Sequence, residues 1–355
     1  MSAPMNEPMS EPMNEPIPVH LLTGFLGSGK TTLLNHLLKS PEFADCAVLV
    51  NEFGEVGVDH HLIKPVQGDV VLLPSGCICC TVRGDLAEAI RSLHAQRDAG
   101  TVPAFRRLVI ETTGLADPTP VLSTLMHERV IRHHFRVGGV ITTVDAVNAA
   151  ATLARFPEAT KQVAVADRLI VTKTDLVAPE AVQTLRAQLA QLNALAVVHE
   201  SDGQPLAAGQ LLGDEGTATH PHQVPERGPL GVHRSLVQPP AGAPGGVASF
   251  TLDLDTQVDW TVFGVWLSLL LHTHGQRVLR VKGLLDVQGA ERPVVVHGVQ
   301  HLIHPPEHLA AWPPGERRSR LVFITQGLAP DLIRRSLTAF LQALSPRAAP
   351  EPTLA

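Results

Sequence analysis

Two short motifs near the N-terminus carry residues that could do chemistry together. The first, Gly24-Phe25-Leu26-Gly27-Ser28-Gly29-Lys30-Thr31, fits G-x-x-x-x-G-K-[ST], a loop whose backbone N–H groups surround the phosphates of a nucleotide. The second, Cys77-Ile78-Cys79-Cys80, places three of the chain's four cysteines within four residues. Nucleotide chemistry and thiolate chemistry are therefore predicted in one part of the chain.

The glycine-rich motif has the flanking elements that a phosphate-binding loop requires. Ile17 to Leu22 predicts a short buried strand before it, and Thr31 to Leu38 predicts a helix after it. Glycines let the backbone approach the phosphates closely, and the N-terminus of the helix adds free N–H donors. We expect Lys30 to reach the β- and γ-phosphates and the Thr31 hydroxyl to bind magnesium. The residues predicted to bind nucleotide in this motif are Gly24, Gly27, Ser28, Gly29, Lys30, Thr31 and Thr32.

A second predicted strand, Ala166 to Val171, ends in a motif that selects the base. Thr172-Lys173-Thr174-Asp175 is close to N-K-x-D, the guanine-reading motif of GTPases. The Asp175 carboxylate can accept hydrogen bonds from guanine N1–H and the exocyclic amine, a pair that adenine does not offer, so GTP is predicted. The stem of Lys173 would lie along the base. Thr172 stands where the motif usually has Asn, so the sequence does not say whether the hydrogen bond that Asn makes to guanine or to the loop is kept. The alternative is that this segment is a charged turn exposed to solvent.

A third motif lies between these two. Arg107 to Glu111 predicts an apolar strand that ends in an acid, and the acid begins an E-x-x-G pattern that reaches Gly114. Glu111 could hold magnesium through water or position the attacking water, and the Gly114 N–H could donate to the γ-phosphate. An ordinary glutamate at a strand end is the alternative. Lys30, Thr31 and Glu111 are the predicted catalytic residues.

These motifs occur in an order that resembles one protein family. The series runs through G-F-L-G-S-G-K-T-T-L-L-N, N-E-F-G at Asn51 to Gly54, G-C-I-C-C, E-T-T-G-L-A-D-P at Glu111 to Pro118, and K-T-D. Over residues 17 to 345 the chain resembles the CobW-type metallochaperone GTPases, relatives of the nickel-insertion GTPases for urease and hydrogenase. The resemblance implies GTP-dependent delivery of a transition metal to a client apo-protein, with zinc in one branch. Other branches resemble factors for cobalamin synthesis and for activation of iron or cobalt nitrile hydratases.

The cysteine cluster supports metal binding independently of the resemblance. Three thiolates suit a cation such as zinc, copper(I) or cobalt. A closed zinc site takes four protein ligands, so a cluster of three leaves a position for water, a client residue or a nearby acid or histidine, and ligand exchange becomes possible. The predicted metal ligands are Cys77, Cys79, Cys80 and Glu52 for zinc or cobalt, and Thr31 for magnesium; Glu55, His60 and His61 are further candidates. A redox pair or apolar core cysteines are the alternatives, and Cys46 is predicted to be core.

The predicted fold is α/β, with a P-loop GTPase domain built on a mainly parallel, doubly wound sheet and a smaller C-terminal α+β domain. Ligands of such sheets lie outside the carboxyl ends of the strands, so we expect the thiolates and the phosphates to be neighbours and hydrolysis to release the metal. The predicted divisions are a disordered acidic tail (1–16), the GTPase domain with the C-x-C-C motif (17–212), a Pro/Gly/His-rich linker (213–246), the CobW-like C-terminal domain (247–345) and a tail (346–355).

Composition excludes several classes of protein. The net charge is −6 and no basic stripe is present, so nucleic acid is not an expected partner. The longest apolar stretch, Val262 to Leu271, is too short to span a bilayer, and the N-terminus does not read as a signal peptide. Few, clustered cysteines fit a reducing compartment, so a cytoplasmic location is predicted. Most of the histidines are expected to be ordinary surface or core residues.

Three functions are weighed. The first is a GTPase that loads a metal into a client. The second is a metal sensor or buffer whose affinity is set by nucleotide, and the third, a small-molecule kinase, is disfavoured because such enzymes seldom carry both T-K-x-D and C-x-C-C. The sequence does not identify the metal, the client, the fourth metal ligand or the oligomeric state.

Overall fold

A continuous parallel sheet forms the first part of the chain. The computed structural model describes residues 15–43, 45–51, 71–75, 83–203, 206–207, 211–212, 246–313 and 317–344. Within these residues, seven strands pair in parallel in the order β3-β2-β4-β1-β5-β6-β7. Their bounds are β1 Ile17–Gly24, β2 Cys46–Asn51, β3 Val71–Ser75, β4 Arg107–Glu111, β5 Phe135–Asp145, β6 Arg168–Thr172 and β7 Val197–Glu200.

Helices occupy the described connections between these strands, as is usual for parallel pairing. They are α1 Lys30–Leu37, α2 Arg83–Asp98, α3 Thr119–His127, α4 Arg129–His134, α5 Ala149–Arg155, α6 Pro157–Val165 and α7 Pro179–Leu192. The central strands are apolar on both faces: Leu169, Ile170 and Val171 of β6 are fully buried. Helix α7 begins with a proline, whose missing N–H costs nothing at that position, and its buried residues recur at helical spacing.

The second part of the chain is a separate antiparallel domain. Its sheet has the order β11-β10-β9-β13-β8 in the described residues, with β12 paired to β10. The bounds are β8 Val247–Leu254, α8 Trp260–His274, β9 Val278–Leu285, β10 Val294–Val299, β11 Leu302–Ile303, β12 Glu307–His308, β13 Ser319–Gln326 and α9 Pro330–Leu344. Trp266 of α8 is buried in its core and donates its indole N–H to Ser336 Oγ at 3.0 Å. The predicted fold class is confirmed.

The two domains meet at the amino ends of the parallel strands. Val299 and Leu302 of the C-terminal domain join the core cluster of the first domain, beside Phe135 and Val165. An ionic contact is part of the interface, because Arg280 and Lys282 of β9 both pair with Asp167, which directly precedes β6. The C-terminal domain therefore lies at the end of the sheet opposite to the phosphate-binding loop.

Three predicted segments, 1–16, 213–246 and 346–355, fall almost entirely outside the described residues, and their predicted character stays a prediction. In the part of the chain that is described, no helix combines the length and apolar character that crossing a bilayer needs.

Candidate functional site

The glycine-rich loop joins β1 to α1, as predicted, and its glycines adopt backbone conformations that other residues rarely adopt. Gly24 ends β1 with φ 141°. A Cβ atom there would lie 2.2 Å from Thr143 Oγ1 of β5, so strand and loop approach too closely for a side chain. Gly29, with φ 91°, directly precedes α1. The glycines therefore set both the tight turn and the close packing of the loop on β5.

Lys30 is folded back onto the loop. Its ammonium donates to the carbonyl oxygens of Gly24 at 2.9 Å and of Phe25 at 3.2 Å, and the residue is buried. The cation is thereby held above the loop, where the motif requires a phosphate to bind. Among the other predicted loop residues, Ser28 is buried and bonded to Thr143 through its hydroxyl, at 2.6 Å, whereas the Thr32 side chain is exposed.

Thr31 and Glu111 lie together, although 80 residues separate them in the chain. The Thr31 hydroxyl donates to Glu111 Oε1 at 2.9 Å, and Glu111, at the end of β4, is only 4 % exposed. Parallel pairing of β1 with β4 produces this contact, because it aligns the carboxyl ends of the two strands. A hydroxyl and a carboxylate are oxygen ligands of the kind that Mg²⁺ prefers, so these residues fit the ion.

The segment that follows β6 supports the loop from the other side. Thr172 is buried, and its hydroxyl donates to the Ser28 carbonyl at 2.8 Å. Thr172, which stands where the motif usually has Asn, therefore makes a hydrogen bond that holds the loop. Lys173 has a left-handed backbone, with φ 58°, and donates to Gly27 O at 2.9 Å and Asp145 Oδ2 at 2.7 Å.

Asp145, at the end of β5, was not among the predicted site residues. Burial by itself raises the pKa of its carboxyl, but hydrogen bonds from Lys173, Asn148 and the Val147 N–H outweigh burial and hold the pKa below its usual range. The carboxylate therefore stays ionised and fixes the lysine. A polar residue at the end of a central strand was the signal available in the sequence.

Asp175, which is predicted to read the base, is accessible. Gly114, which is predicted to contact the γ-phosphate, is tightly packed. The Asp175 side chain is exposed on a short 3-10 turn, Thr174–Leu176. Gly114 is buried against the loop, since a Cβ there would lie 2.6 Å from the Leu26 backbone nitrogen. The structure therefore brings Gly114, Lys30, Thr31 and Glu111 to one edge of the sheet.

The predicted zinc ligands Cys77, Cys79, Cys80 and Glu52 lie outside the described residues, as do Glu55, His60 and His61. Within the described ranges no group of three or more His, Cys, Asp or Glu residues could hold a metal ion. Cys46 is fully buried, and burial raises the pKa of its thiol to about 12, so it is a core residue as predicted.

Comparison with known proteins places this geometry in a family. Residues 18–200 match the family model for the CobW/HypB/UreG nucleotide-binding domain, and residues 247–341 match that for the cobalamin synthesis protein cobW C-terminal domain. Zinc chaperone YjiA of Escherichia coli is 36% identical over 90% of this chain and 96% of its own length. Zinc chaperone CobW of Pseudomonas aeruginosa is 32% identical, covering 92% of each chain.

A solved structure agrees over both domains. The crystal structure of Zn(II)-bound YjiA GTPase from E. coli superposes with a TM-score of 0.72 at 31% identity, covering 92% of this chain and 99% of that one. The similarity extends from the phosphate-binding loop to the antiparallel C-terminal sheet. The chain belongs to the CobW/HypB/UreG family and carries its nucleotide-binding domain together with a cobW-type C-terminal domain.

Proposed function

We propose that this protein is a GTP-hydrolysing metallochaperone that binds zinc at Cys77, Cys79 and Cys80 and transfers it to a client protein. The motif order supports this function, as do relatives that are named zinc chaperones and a relative from Schizosaccharomyces pombe that is named a zinc-regulated GTPase metalloprotein activator. Zinc is cargo in this function, and GTP is the substrate.

The observation that carries the GTPase part is the contact with Glu111 of Thr31, the residue that follows Lys30 in the glycine-rich loop. A phosphoryl transfer site needs charge stabilisation and positioning more than covalent chemistry. Lys30 would exchange the loop carbonyls for β- and γ-phosphate oxygens when nucleotide binds. Glu111, held by the Thr31 hydroxyl at the strand end, would position the attacking water.

Magnesium would be held by Thr31 with help from Glu111, and it would neutralise charge on the β- and γ-phosphates. Guanine would be read by Asp175, whose exposed carboxylate is open to an incoming base. The aliphatic stem of Lys173 would lie along that base, while its ammonium remains bound to Gly27 and Asp145.

Delivery requires that the metal site exchange ligands. A cluster of three thiolates leaves one position of a tetrahedral ion open, and a client residue could enter there. Ordering of the loops around the γ-phosphate would then change metal affinity between the GTP and GDP states. Glu52 is the proposed additional ligand from this chain.

The test measures zinc and cobalt(II) affinity anaerobically, by competition titration, with magnesium-GTP or magnesium-GDP bound. Lys30→Ala should abolish GTP hydrolysis and keep metal binding, while the matched variant Lys39→Ala, at an exposed lysine beyond α1, should change neither. Cys79→Ala should lose most metal affinity and the cobalt–thiolate absorption, whereas Cys46→Ala should keep both.

The outcomes separate the functions. Hydrolysis that one apo-client stimulates supports metal delivery. Tight zinc binding with negligible turnover would instead establish a sensor or buffer, and a preference for cobalt would indicate delivery for cobalamin synthesis or nitrile hydratase activation. Equal metal affinity of wild type and Cys79→Ala would refute the proposed metal site.

A further inference from the structure

Helix α6 contacts the segment that follows β4. Gln162 of this helix is 1 % exposed, and its side-chain N–H groups donate to the carbonyl oxygens of Gly114 at 3.2 Å and Ala116 at 3.0 Å. The preceding residue, Lys161, pairs with Asp117 at 3.5 Å. Two adjacent residues of α6 therefore hold the segment Gly114–Asp117, which we call the sensing segment.

The orientation of the Gln162 amide follows from its neighbours. Both are carbonyl oxygens, which only accept hydrogen bonds, so the NH₂ group must face them. The Gln162 Oε1 atom is buried and accepts no hydrogen bond from the described part of the chain. Burial of an acceptor without a partner opposes folding. A side chain kept for packing alone would be better apolar, so this glutamine has a role besides packing.

Two contacts hold the sensing segment at Gly114. The residue lies against the backbone of Leu26 in the phosphate-binding loop, and the Gln162 amide donates to its carbonyl. The Gly114 N–H, proposed to donate to the γ-phosphate, is attached to the same Cα as that carbonyl. Holding that carbonyl, with the Cα packed against Leu26, limits how far the Gly114 nitrogen can move.

Helix α6 is itself firmly held. The Gln162 backbone carbonyl accepts from the Thr142 hydroxyl of β5 at 2.9 Å. Three residues later, the Val165 carbonyl accepts from the guanidinium of Arg280 in the C-terminal domain. The nine residues of α6 span about 13 Å, so one short helix contacts both the sensing segment and the domain interface.

We propose that Gln162 is a positioning residue of the nucleotide site, which holds the sensing segment so that the Gly114 N–H is presented to the γ-phosphate. This inference rests on the proposed GTPase function and on the proposed role of Gly114. Because GDP has no γ-phosphate, Gln162 sets the affinity for GTP relative to GDP and leaves the affinity for GDP unchanged.

The experiment measures the affinities of the full-length protein for GTPγS and GDP by displacement of a fluorescent nucleotide. Gln162→Met keeps the length of the side chain and removes its donors. We expect GTPγS affinity to fall about tenfold, equivalent to 1.4 kcal/mol, with GDP affinity within about twofold of wild type. Gln162→Glu keeps the shape and, neutral at this buried position, can donate to only one of the two carbonyls, so it should reduce GTPγS affinity less than Gln162→Met.

Thr160→Val is the matched control, because Thr160 lies on the same helix, is buried, and donates to the Leu153 carbonyl at 3.2 Å, away from the sensing segment. It should leave the ratio of the two affinities unchanged. The inference is overturned if Gln162→Met leaves both affinities unchanged, or lowers them equally in a variant whose thermal midpoint falls with them.

A second variant distinguishes a failure of the role inferred for Gln162 from a failure of the role proposed for Gly114. Gly114→Ala, which forces a Cβ against Leu26, should also lower the affinity for GTPγS more than that for GDP. A change of the ratio in Gly114→Ala but not in Gln162→Met would refute the role of Gln162 alone. No change in either variant would refute the proposed sensing by Gly114 itself.

Discussion

The ionic contact between the domains gives a sharp prediction about stability. Asp167 is paired with both Arg280 and Lys282, whose side chains are 4 % and 17 % exposed. Asp167→Asn removes the charge that both cations contact and leaves them poorly solvated. Removing one partner of a buried ion pair lowers the unfolding free energy by about 3–5 kcal/mol. At an m-value of about 3 kcal/mol/M, the urea midpoint should fall by about 1 M or more.

The control is another aspartate paired with arginine. Asp253 accepts from Arg320 at 2.6 Å within the C-terminal sheet, but these side chains are 24 % and 37 % exposed. Asp253→Asn should therefore cost only about 0.2–1 kcal/mol. Equal losses of unfolding free energy in the two variants would show that burial of the Asp167 group does not set its contribution, and the reasoning would be wrong.

The same pair predicts a pH dependence. Burial raises the pKa of the Asp167 carboxyl, but Arg280 and Lys282 outweigh burial and hold it well below its ordinary value. A depressed carboxyl pKa stabilises the folded state at neutral pH, and this stabilisation is lost as pH falls below about 4. The difference in unfolding free energy between wild type and Asp167→Asn should therefore shrink as pH falls below about 4. Urea titrations at several pH values measure this difference.

Two further changes test other contacts. Burial, and after it the positive charge of Arg280, lower the pKa of His304 to about 4. The unfolded chain therefore binds more protons than the folded chain between about pH 6.5 and 4. The urea midpoint should fall as the pH drops through that window, and the fall should be smaller in His304→Gln; identical pH profiles would contradict this. Thr172→Val removes the hydrogen bond to the Ser28 carbonyl and should weaken GTP and GDP binding alike, by about fivefold for a bond worth ~1 kcal/mol, in a nucleotide titration. Loss of GTP binding alone would refute the bracing role.

Local sequence patterns predicted much of the fold. Strand Arg107–Glu111 has the predicted bounds, because an apolar run encodes burial directly. Strand β1 extends beyond the predicted Ile17 to Leu22, to Ile17–Gly24, since pairing with β5 continues the strand past its apolar residues.

Contacts between distant residues were not predictable in the same way. Gln162 and Asp167 carry no motif. The carbonyls that Gln162 contacts lie 46 to 48 residues away in the chain, and the two cations paired with Asp167 lie 113 to 115 residues away. Their roles depend on how helix α6 packs between the sensing segment and the C-terminal domain, and no local pattern encodes that packing. The nucleotide motifs were recognisable because loop geometry restricts their residue types position by position.

The order of strands in the parallel sheet also has a consequence for biosynthesis. Strand β1, which leads into the phosphate-binding loop, pairs with β4 and β5, so Val19 lies beside Leu108 and Val137. The ribosome must add about 90 residues after Val19 before the first of these partners exists, which takes about 5 to 18 seconds at typical elongation rates. An apolar strand made early and paired late is exposed to aggregation during that interval. The segment predicted to bind nucleotide is thus synthesised well before the strands with which it pairs, and its native pairing must wait for them.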